Sequence, residues 1–428
     1  MSLDLMIWLL LFGALLLGVP IFVSLGMATF IALTLSDIPL SIIPLDLYKV
    51  SELFPLLAVP AFIFAGALME RGGMAQQIID VASILVGRFT GGLALATIVG
   101  CVFFAAMIGS GPGTTAAMGA LMIPSMVRQG YSKDYSAAVC STGGTLGILI
   151  PPSNPMIVYG VIANVSIASL FMAGFIPGFF VGICLMTTSY IIARKRGFKG
   201  TDEKYTVSDF FKTCGRNIFA LLAPVIILGG IYAGIFTPVE ASVVAVVYAF
   251  LVGWIINKKL TWKGLWESFN LTNVATGTVL IVVGVSTLFG RFVTMYEVPQ
   301  RLAKAIMQVS TDPFIVLLMI GGFLFFLGMF METLATVVII TPVVLPLLKQ
   351  LGVDPIHFGI ILVMTNEIAM LTPPLGVNLF VAMQLSNLSL EKVAKAAFPY
   401  ILTLIICTII VMRFPSIVLF LPNLFGSF

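Results

Sequence analysis

The sequence predicts an all-α polytopic membrane protein built from inverted structural repeats, with two re-entrant helical hairpins and two broken helices. The first observation is composition, because 60% of the 428 residues are hydrophobic and 9% are charged. A soluble domain carries about 25% charged residues. The second observation is that the apolar residues come in long runs, and the third is a match of the chain to itself at a constant offset.

Long, nearly uncharged runs of about 18 residues or more are typical of membrane-spanning helices. The first run is too long for a cleavable signal peptide and has no basic flank before it, so we expect a retained span. These runs fill most of the chain and leave no room for a soluble domain. Ordinary spans are predicted at residues 6–33, 54–69, 168–193, 218–235, 239–256, 274–295 and 398–421.

An irregular pattern occurs twice between the ordinary spans. Each copy has two short arms around a tip, followed by a helix with a proline break. The first copy comprises arms 93–108 and 114–127 around GSGPGTT, then 135–149, the break PPSNP and 156–163. The second comprises arms 314–331 and 336–348 around METLA, then 358–371, the break TPPLG and 377–385.

The two copies match without gaps at an offset of 222 residues. GTLGILIPPSNP (144–155) overlays NEIAMLTPPLGV (366–377), and GCVFFAAMIGS (100–110) overlays GFLFFLGMFME (322–332). Chance explains shared Leu and Ile, but not two aligned Pro-Pro breaks and two aligned hairpins. Inverted repeats with helices interrupted at matching positions are typical of secondary transporters.

The basic loops predict the orientation of the chain. The loops 194–199 and 257–263 are the densest in Lys and Arg, and the positive-inside rule assigns them to the cytoplasm. The two copies then point in opposite directions, with loop 128–133 inside and loop 350–355 outside. Lys349 on the outer side weakly opposes the rule.

Composition also excludes several function classes. The net charge of +4 is spread over loops, which argues against nucleic acid as a partner. The five cysteines show neither paired nor metal-ligand spacing, and we interpret them as packing residues. The single histidine, His357, cannot build a metal cluster and is interpreted as structural.

The proline breaks are predicted to carry chemistry. Pro151-Pro152 and Pro373-Pro374 interrupt the helix ladder and leave carbonyl groups without partners at the depth of the membrane. Small polar residues surround them: Ser153 and Asn154 in one copy, Thr372, Gly376 and Asn378 in the other. Such oxygens suit sodium, which is a hard cation.

The hairpin tips form the other wall of the predicted site. Residues 109–115 contain three glycines, which permit a tight reversal, and residues 331–336 form the second tip. Each tip precedes a helix N-terminus, whose free amide groups suit an anionic carboxylate. The sequence therefore predicts coupled binding of a cation and an organic anion.

Charged residues within the apolar segments leave alternatives open. Glu332 at the second tip either takes part in an ion site or hydrogen-bonds its own tip, because a carboxylate at this depth is costly. Glu367 and its neighbour Asn366 are either functional or satisfied structurally. Glu240 and Arg291 lie towards span ends and are interpreted as snorkelling anchors.

Five blocks extend over essentially the whole chain and resemble one family. They are LLAVPAFIFAGALMERGG (56–73), GSGPGTTAAMGALMIPSMVRQGY (109–131), GTLGILIPPSNPMIVYGVIANVSIASLFMAGFIPG (144–178), FTPVEASVVAVVYA (236–249) and LTPPLGVNLFVA (371–382). The chain resembles the large membrane subunit of tripartite ATP-independent periplasmic (TRAP) transporters, of the dicarboxylate and sialic acid permease type.

The resemblance implies a transporter of the bacterial inner membrane rather than an enzyme. It implies sodium-driven uptake of a small organic acid by an elevator-type motion of a transport domain against a scaffold, with no cofactor besides sodium ions. A periplasmic binding protein would deliver the substrate. A small four-helix membrane subunit would support the scaffold, and it is expected as a separate chain because the pattern starts at the N-terminus.

The implied division has five parts. Residues 1–90 are N-terminal scaffold spans, and 91–165 hold the first hairpin and broken helix of the transport domain. Residues 166–312 are scaffold spans and connecting arms. Residues 313–387 hold the second hairpin and broken helix, and 388–428 hold the C-terminal scaffold span.

The same resemblance implies the binding residues. The sodium ligands would come from the two tips and the two breaks: Ser110, Glu332, Thr336 and Asn366, with the backbone of Gly147, Ile150, Pro152, Ala369, Thr372 and Pro374. Substrate would lie between the tips, near Thr114, Thr115, Ser153, Asn154, Gly376 and Asn378.

Three other functions compete with this interpretation. A stand-alone sodium–carboxylate symporter of related fold would need no binding protein. A membrane-embedded enzyme would need a metal cluster or a nucleophile–base pair, which the lone histidine disfavours. A purely structural scaffold does not explain two costly helix breaks.

Overall fold

The computed structural model describes residues 3–36, 38–200 and 206–425, and all regular structure within these ranges is helical. Five helices precede the first repeat: α1 (Leu3–Leu16), α2 (Ile21–Leu35), α3 (Ile42–Ser51), α4 (Ala58–Arg71) and α5 (Met74–Val86). The first repeat follows: α6 (Gly92–Ile108), α7 (Gly111–Arg128), α8 (Lys133–Leu149) and α9 (Asn154–Ala163).

Six helices connect the repeats: α10 (Ile167–Arg196), α11 (Val207–Arg216), α12 (Ile218–Tyr232), α13 (Pro238–Leu251), α14 (Trp262–Met295) and α15 (Val298–Val309). The second repeat and the C-terminal helices complete the chain: α16 (Pro313–Gly328), α17 (Thr333–Gln350), α18 (Pro355–Ala369), α19 (Val377–Ser386), α20 (Leu390–Arg413) and α21 (Ser416–Phe425). In these ranges seven helices are long and apolar enough to cross a membrane, or nine if two bent pairs are counted as spans.

Both hairpins and both broken helices are present where the sequence predicts them. The arms α6 and α7 meet at Gly109 and Ser110, and α16 and α17 meet at residues 329–332. The helix breaks fall at residues 150–153 and 370–376. Glycine and proline impose their local geometry directly on the backbone, which is why these features could be located from the sequence.

Several expected spans differ from the observed helices. Residues 6–33 form two helices rather than one, because the chain breaks at Gly18–Pro20. Residues 398–421 likewise divide at Phe414 and Pro415. The short helices α5, α11 and α15 were not predicted, since none of them is a long apolar run.

Two charged residues that were expected to snorkel make contacts within the protein. One guanidinium nitrogen of Arg291 donates to both carboxylate oxygens of Asp46, at 2.8 and 2.9 Å. This ion pair connects α14 to α3. Glu240 forms a capping box with Thr237 at the start of α13. These contacts give both side chains a role within the protein, and their position at the lipid surface stays a prediction.

The two repeats make matching contacts at their outer ends, which are the starts of α8 and α18. The Tyr135 hydroxyl donates to the carbonyl oxygen of Ser189 at 2.8 Å. The Nε2 atom of His357 lies 2.9 Å from the carbonyl oxygen of Val411. Both residues of the second pair lie 222 positions after those of the first, so the offset found in the sequence is also an offset in space.

The helix α10 shows that the repeats are inverted. The start of α8 contacts α10 at Ser189, whereas the start of α18 packs at Leu170, which lies 3.1 Å from the Cβ position of Gly359. These two points on α10 are 19 residues apart, or about 28 Å along a helix. The broken helices α8 and α18 therefore begin on opposite sides of the membrane.

Candidate substrate and ion site

The first hairpin tip lies directly against the first helix break. Gly109 adopts φ +66°, and the Ser110 hydroxyl caps α7 by accepting from the amide of Gly113 at 3.3 Å. The amide of Asn154 approaches the carbonyl oxygen of Gly109 at 3.4 Å. Tip and break therefore share backbone polar groups that a continuous helix would satisfy internally.

Two glycines of α8 make this approach possible. A Cβ on Gly144 would lie 1.9 Å from the Thr115 hydroxyl oxygen, and a Cβ on Gly147 would lie 2.4 Å from the carbonyl oxygen of Ser110. The hydroxyl oxygen of Thr114 is also only 2.6 Å from that second position. Glycine therefore lets the tip oxygens reach the backbone of α8.

The first break is buried and internally bonded. The Ser153 hydroxyl donates to the carbonyl oxygen of Ile148 at 2.5 Å and accepts from the amide of Met156 at 3.4 Å. One side chain thus connects the last turn of α8 to the first turn of α9. All of residues 150–154 are buried.

The second tip and break meet in a different way. The amide of Leu375 donates to the carbonyl oxygen of Met329 at 3.0 Å, and Gly376 adopts φ +42° before α19. A Cβ on Gly328 would meet the Ala369 side chain at 2.6 Å and the Asn366 amide oxygen at 3.2 Å. This tip therefore packs against the end of α18.

The repeats interlock near the middle of the molecule. Asn378 at the start of α19 donates to the carbonyl oxygen of Ser141 in α8 at 3.3 Å. Its side chain lies 3.4 Å from the Cβ position of Gly111 at the first tip. The N-terminal ends of α7 and α19 therefore converge on the same region.

Three buried oxygens in this region have no hydrogen-bond partner among the described residues: Thr114 Oγ1, Asn154 Oδ1 and Asn378 Oδ1. Buried polar atoms are nearly always bonded to protein, water or a ligand. A hydroxyl and two amide oxygens beside backbone carbonyls form a suitable donor set for a hard cation such as sodium. Residues of both repeats therefore supply oxygens that fit an ion or a polar substrate.

A cavity of about 400 Å³ lies between the first tip and the helices α4 and α14. Its inner wall is made by the first turns of three helices, with Ser110 and Gly113 of α7, Asn154 of α9 and Leu334 of α17. The exposed carboxylate of Glu332, which precedes α17, also lines it. Helix N-termini carry partial positive charge, so this wall can attract an anion.

The structure brings most of the first predicted sodium group together. Ser110 and Gly147 touch, and the carbonyl oxygen of Pro152 lies 2.6 Å from the Cβ position of Gly109. The side chain of Ile150 packs towards Gly178 of α10, and a role of its backbone in the site stays a prediction.

The second predicted sodium group is more dispersed. Asn366 and Ala369 lie at Gly328, whereas the carboxylate of Glu332 lines the cavity with residues of the first repeat. The Thr336 hydroxyl donates to the Glu332 carbonyl at 3.2 Å, and the Thr372 hydroxyl donates to the Ile368 carbonyl at 2.9 Å. Pro374 is exposed.

The predicted substrate residues surround the same region in different roles. Thr114, Asn154 and Asn378 supply the unpartnered oxygens. The Thr115 hydroxyl donates to the carbonyl of Gly111 at 3.0 Å, so its proton is committed within α7. Ser153 bridges the first break, and Gly376 provides the left-handed residue that starts α19.

Sequence reasoning missed the outer wall of the cavity. Glu70 of α4 and Thr278 of α14 line it, opposite the tips. Glu70 stands at the end of an apolar run next to Arg71, a position typical of an ordinary membrane-surface charge. Glu367, by contrast, is fully buried in α18 and does not line this cavity, and neither of its carboxylate oxygens has a partner among the described residues.

A family model described as "Tripartite ATP-independent periplasmic transporter, DctM component" matches residues 8–417. The chain belongs to this family. It is therefore the large permease component of a TRAP transporter and a multi-pass membrane protein, as the sequence predicted.

Curated relatives of this TRAP permease carry names for different acids. The isethionate TRAP transporter permease protein DctMQ of Oleidesulfovibrio alaskensis is 40% identical over 95% of this chain, which spans 64% of that protein's length. The C4-dicarboxylate large permease protein DctM of Pseudomonas aeruginosa is 38% identical over 89% of each chain. The sialic acid permease protein SiaT of Haemophilus influenzae is 36% identical over 98% of this chain and 68% of its own.

A solved structure shares the fold. The crystal structure of the YdaH transporter of Alcanivorax borkumensis matches with a TM-score of 0.65 and 13% sequence identity. The match covers 86% of this chain and 87% of that one. At this identity the likeness establishes the architecture of the TRAP permease and leaves its substrate open.

Proposed function

We propose that this TRAP permease imports a small organic acid across the bacterial inner membrane, driven by a sodium gradient. It would work with a small four-helix membrane subunit and with a periplasmic binding protein that delivers the acid. The observation that carries the proposal is the cavity at the hairpin tips, where three helix N-termini meet beside unpartnered oxygens.

An acid fits the inner wall of this cavity. The partial positive charge at the starts of α7, α9 and α17 can attract a carboxylate or sulfonate without any basic side chain, although the first-turn amides of α9 are already bonded within the protein. Among the residues that line the cavity there is no Lys or Arg. The anionic group would therefore be held by backbone dipoles, and a co-bound cation would add to the attraction.

Sodium fits the oxygens next to the tips as a co-transported substrate. Thr114 Oγ1 and the carbonyl oxygen of Ser110 converge on Gly147, and Asn154 Oδ1 lies in the adjacent break. A cation held there would strengthen anion binding, because opposite charges attract more strongly in a poorly hydrated site. This mutual dependence is the physical basis for coupling.

The position of the cavity supports an elevator motion. Within the repeats it adjoins the first break, which packs on α10 at Gly178, 16 residues or about 24 Å from the basic end of α10 at Arg194. On α4, however, the cavity reaches Glu70, one residue from the end of that helix. The cavity thus extends from the interior of α4 and α14 to the end of α4 near the basic loop, which we interpret as the cytoplasmic-facing state.

The proposed division is a transport domain of residues 91–165 and 313–387 moving against a scaffold formed by the remaining spans. The ion pair of Arg71 with Glu267 ties α4 to α14, and the bonds of Asn257 to Gly72 and Gln77 tie the same region together. These contacts would keep the scaffold rigid while the tips pass along it. The relatives named for isethionate, C4-dicarboxylates and sialic acid suggest the range of acids to test.

The test is uptake into proteoliposomes that contain the full chain with its small subunit and binding protein. We expect uptake of an acid only with an inward sodium gradient. Ser110→Ala and Glu332→Gln should each raise the sodium concentration for half-maximal uptake at least about tenfold, whereas Glu391→Gln, outside the cavity, should not. Sodium-independent uptake would overturn the proposal, and full uptake without binding protein would indicate the stand-alone symporter instead.

A further inference from the structure

The outer wall of the cavity differs chemically from the inner wall. It is formed by Ile63, Ala67 and Glu70 of α4 and by Leu271, Ala275, Thr278 and Val279 of α14. A cavity of about 400 Å³ is large enough for a small organic acid. A small acid with its anionic group at the tips would therefore present its other end to this wall.

Glu70 is the charged side chain that this wall contributes. The guanidinium of its neighbour Arg71 is engaged with Glu267 and lies outside the residues that line the cavity. Across the cavity stands a second carboxylate, that of Glu332. Arg71 offsets part of the charge of Glu70, but no Lys or Arg lines the cavity to pair with a further negative charge near the outer wall.

The polar groups of the outer wall accept hydrogen bonds and do not offer them. An ionised carboxylate such as that of Glu70 is an acceptor only. The Thr278 hydroxyl already donates to the carbonyl oxygen of Val274 at 3.0 Å, so its oxygen is left to accept. The wall therefore suits a neutral donor such as a hydroxyl group and disfavours a second carboxylate.

We propose that Glu70 is a specificity-determining residue that restricts the site to monoanions, favouring those with a hydroxyl group at the end opposite the acid. The inference rests on the proposed function, because it takes the cavity as the place where the acid binds. It narrows that function from organic acids in general to small hydroxylated monoanions. A dicarboxylate would carry its second charge into contact with Glu70.

Three acids of equal chain length separate charge from size: 4-hydroxybutyrate, succinate and butyrate. Equilibrium binding of each radiolabelled acid is measured on the full chain in lipid nanodiscs, with and without sodium. For the unmodified protein we expect 4-hydroxybutyrate to bind at least about tenfold more tightly than succinate, and butyrate to bind several-fold more weakly than 4-hydroxybutyrate.

The variants test the role of Glu70 itself. Glu70→Gln removes the charge and adds a donor, so succinate should gain about tenfold relative to 4-hydroxybutyrate. Glu70→Asp keeps the charge and should keep the original order. Glu52→Gln, which changes an exposed carboxylate outside the cavity, should behave as the unmodified protein.

The outcomes separate this inference from the function on which it rests. Sodium-dependent binding with an unchanged order of acids in Glu70→Gln would overturn the role of Glu70, as would a preference of the unmodified protein for succinate. Absence of sodium-dependent binding for all three acids would overturn the proposed function and the inference together. Size-exclusion profiles identify any variant that fails to fold, and if Glu70→Gln does so, the order of the three acids in the unmodified protein decides the inference.

Discussion

The two helix breaks occupy equivalent positions, yet they are built differently. Residues 150–154 of the first break are buried, and the Ser153 hydroxyl joins both sides of the gap. At the matching place in the second break stands Leu375, whose side chain cannot form such a bond. There the connection comes from a main-chain amide bonded to Met329, and Pro374 is exposed.

The difference shows that equivalent helix breaks can be either buried and held by side-chain bonds or partly exposed to solvent. In the first repeat a side chain and two glycines hold tip, break and helix together. In the second repeat Asn366 and Ala369 replace Gly144 and Gly147, so the tip cannot approach α18 as closely. We infer that the first repeat is the more rigid half of the site and that the second is the half more open to water.

The largest expected effect comes from filling the close approach in the first repeat. Gly144→Ala and Gly147→Ala each place a methyl group within 2.4 Å or less of tip oxygens. We expect each to lower the free energy of unfolding by about 1–3 kcal/mol, or more where the backbone must move. Denaturant unfolding in mixed micelles measures the change.

Gly322→Ala is the matched control in the second repeat. A Cβ at Gly322 meets nothing within 4 Å, and alanine favours the helix. We expect it to unfold at or above the denaturant concentration of the unmodified protein. If Gly144→Ala and Gly147→Ala were as stable as the unmodified protein, the tight contact at the first tip would be disproved.

An intermediate effect is expected from removing the bridging hydroxyl of the first break. Ser153→Ala leaves the buried carbonyl of Ile148 without this partner and should cost about 1–3 kcal/mol. Thr372→Val removes a hydroxyl from the half-buried second break and should cost less than about 1 kcal/mol. Equal losses of unfolding free energy for Ser153→Ala and Thr372→Val would contradict the difference between a buried, bonded break and a partly exposed one.

The smallest effect is expected at the outer ends, where the repeats are alike. Tyr135→Phe removes the bond to Ser189, but the Ser189 hydroxyl still accepts from Tyr400 at 3.2 Å. The loss should be about 0.5–1.5 kcal/mol. Thr187→Val, on the exposed face of the same helix α10, should cause no measurable change. If Tyr135→Phe lost more unfolding free energy than Ser153→Ala, the contacts at the outer ends of the repeats would contribute more to stability than those at the break.

Much of the architecture could be predicted from the sequence because its determinants are local. The paired prolines Pro151-Pro152 and Pro373-Pro374 interrupt their helices, and the offset of 222 residues relates the two copies through residue identity alone. The hairpins, breaks and inverted arrangement are all confirmed. The binding roles of residues such as Ser110 and Asn378 remain predictions, although the structure places both near the crossing of the repeats.

What the sequence alone determined is the position of the two hairpin tips and of the two Pro-Pro breaks, because glycine and paired prolines act on their own backbone. What only the tertiary structure decided is which groups face one another: Glu70 opposite the tips, Arg291 on Asp46, and Glu332 beside the first repeat rather than the second. These pairs lie far apart along the chain. Their contact depends on how long helices pack, and no local pattern of residues encodes that packing.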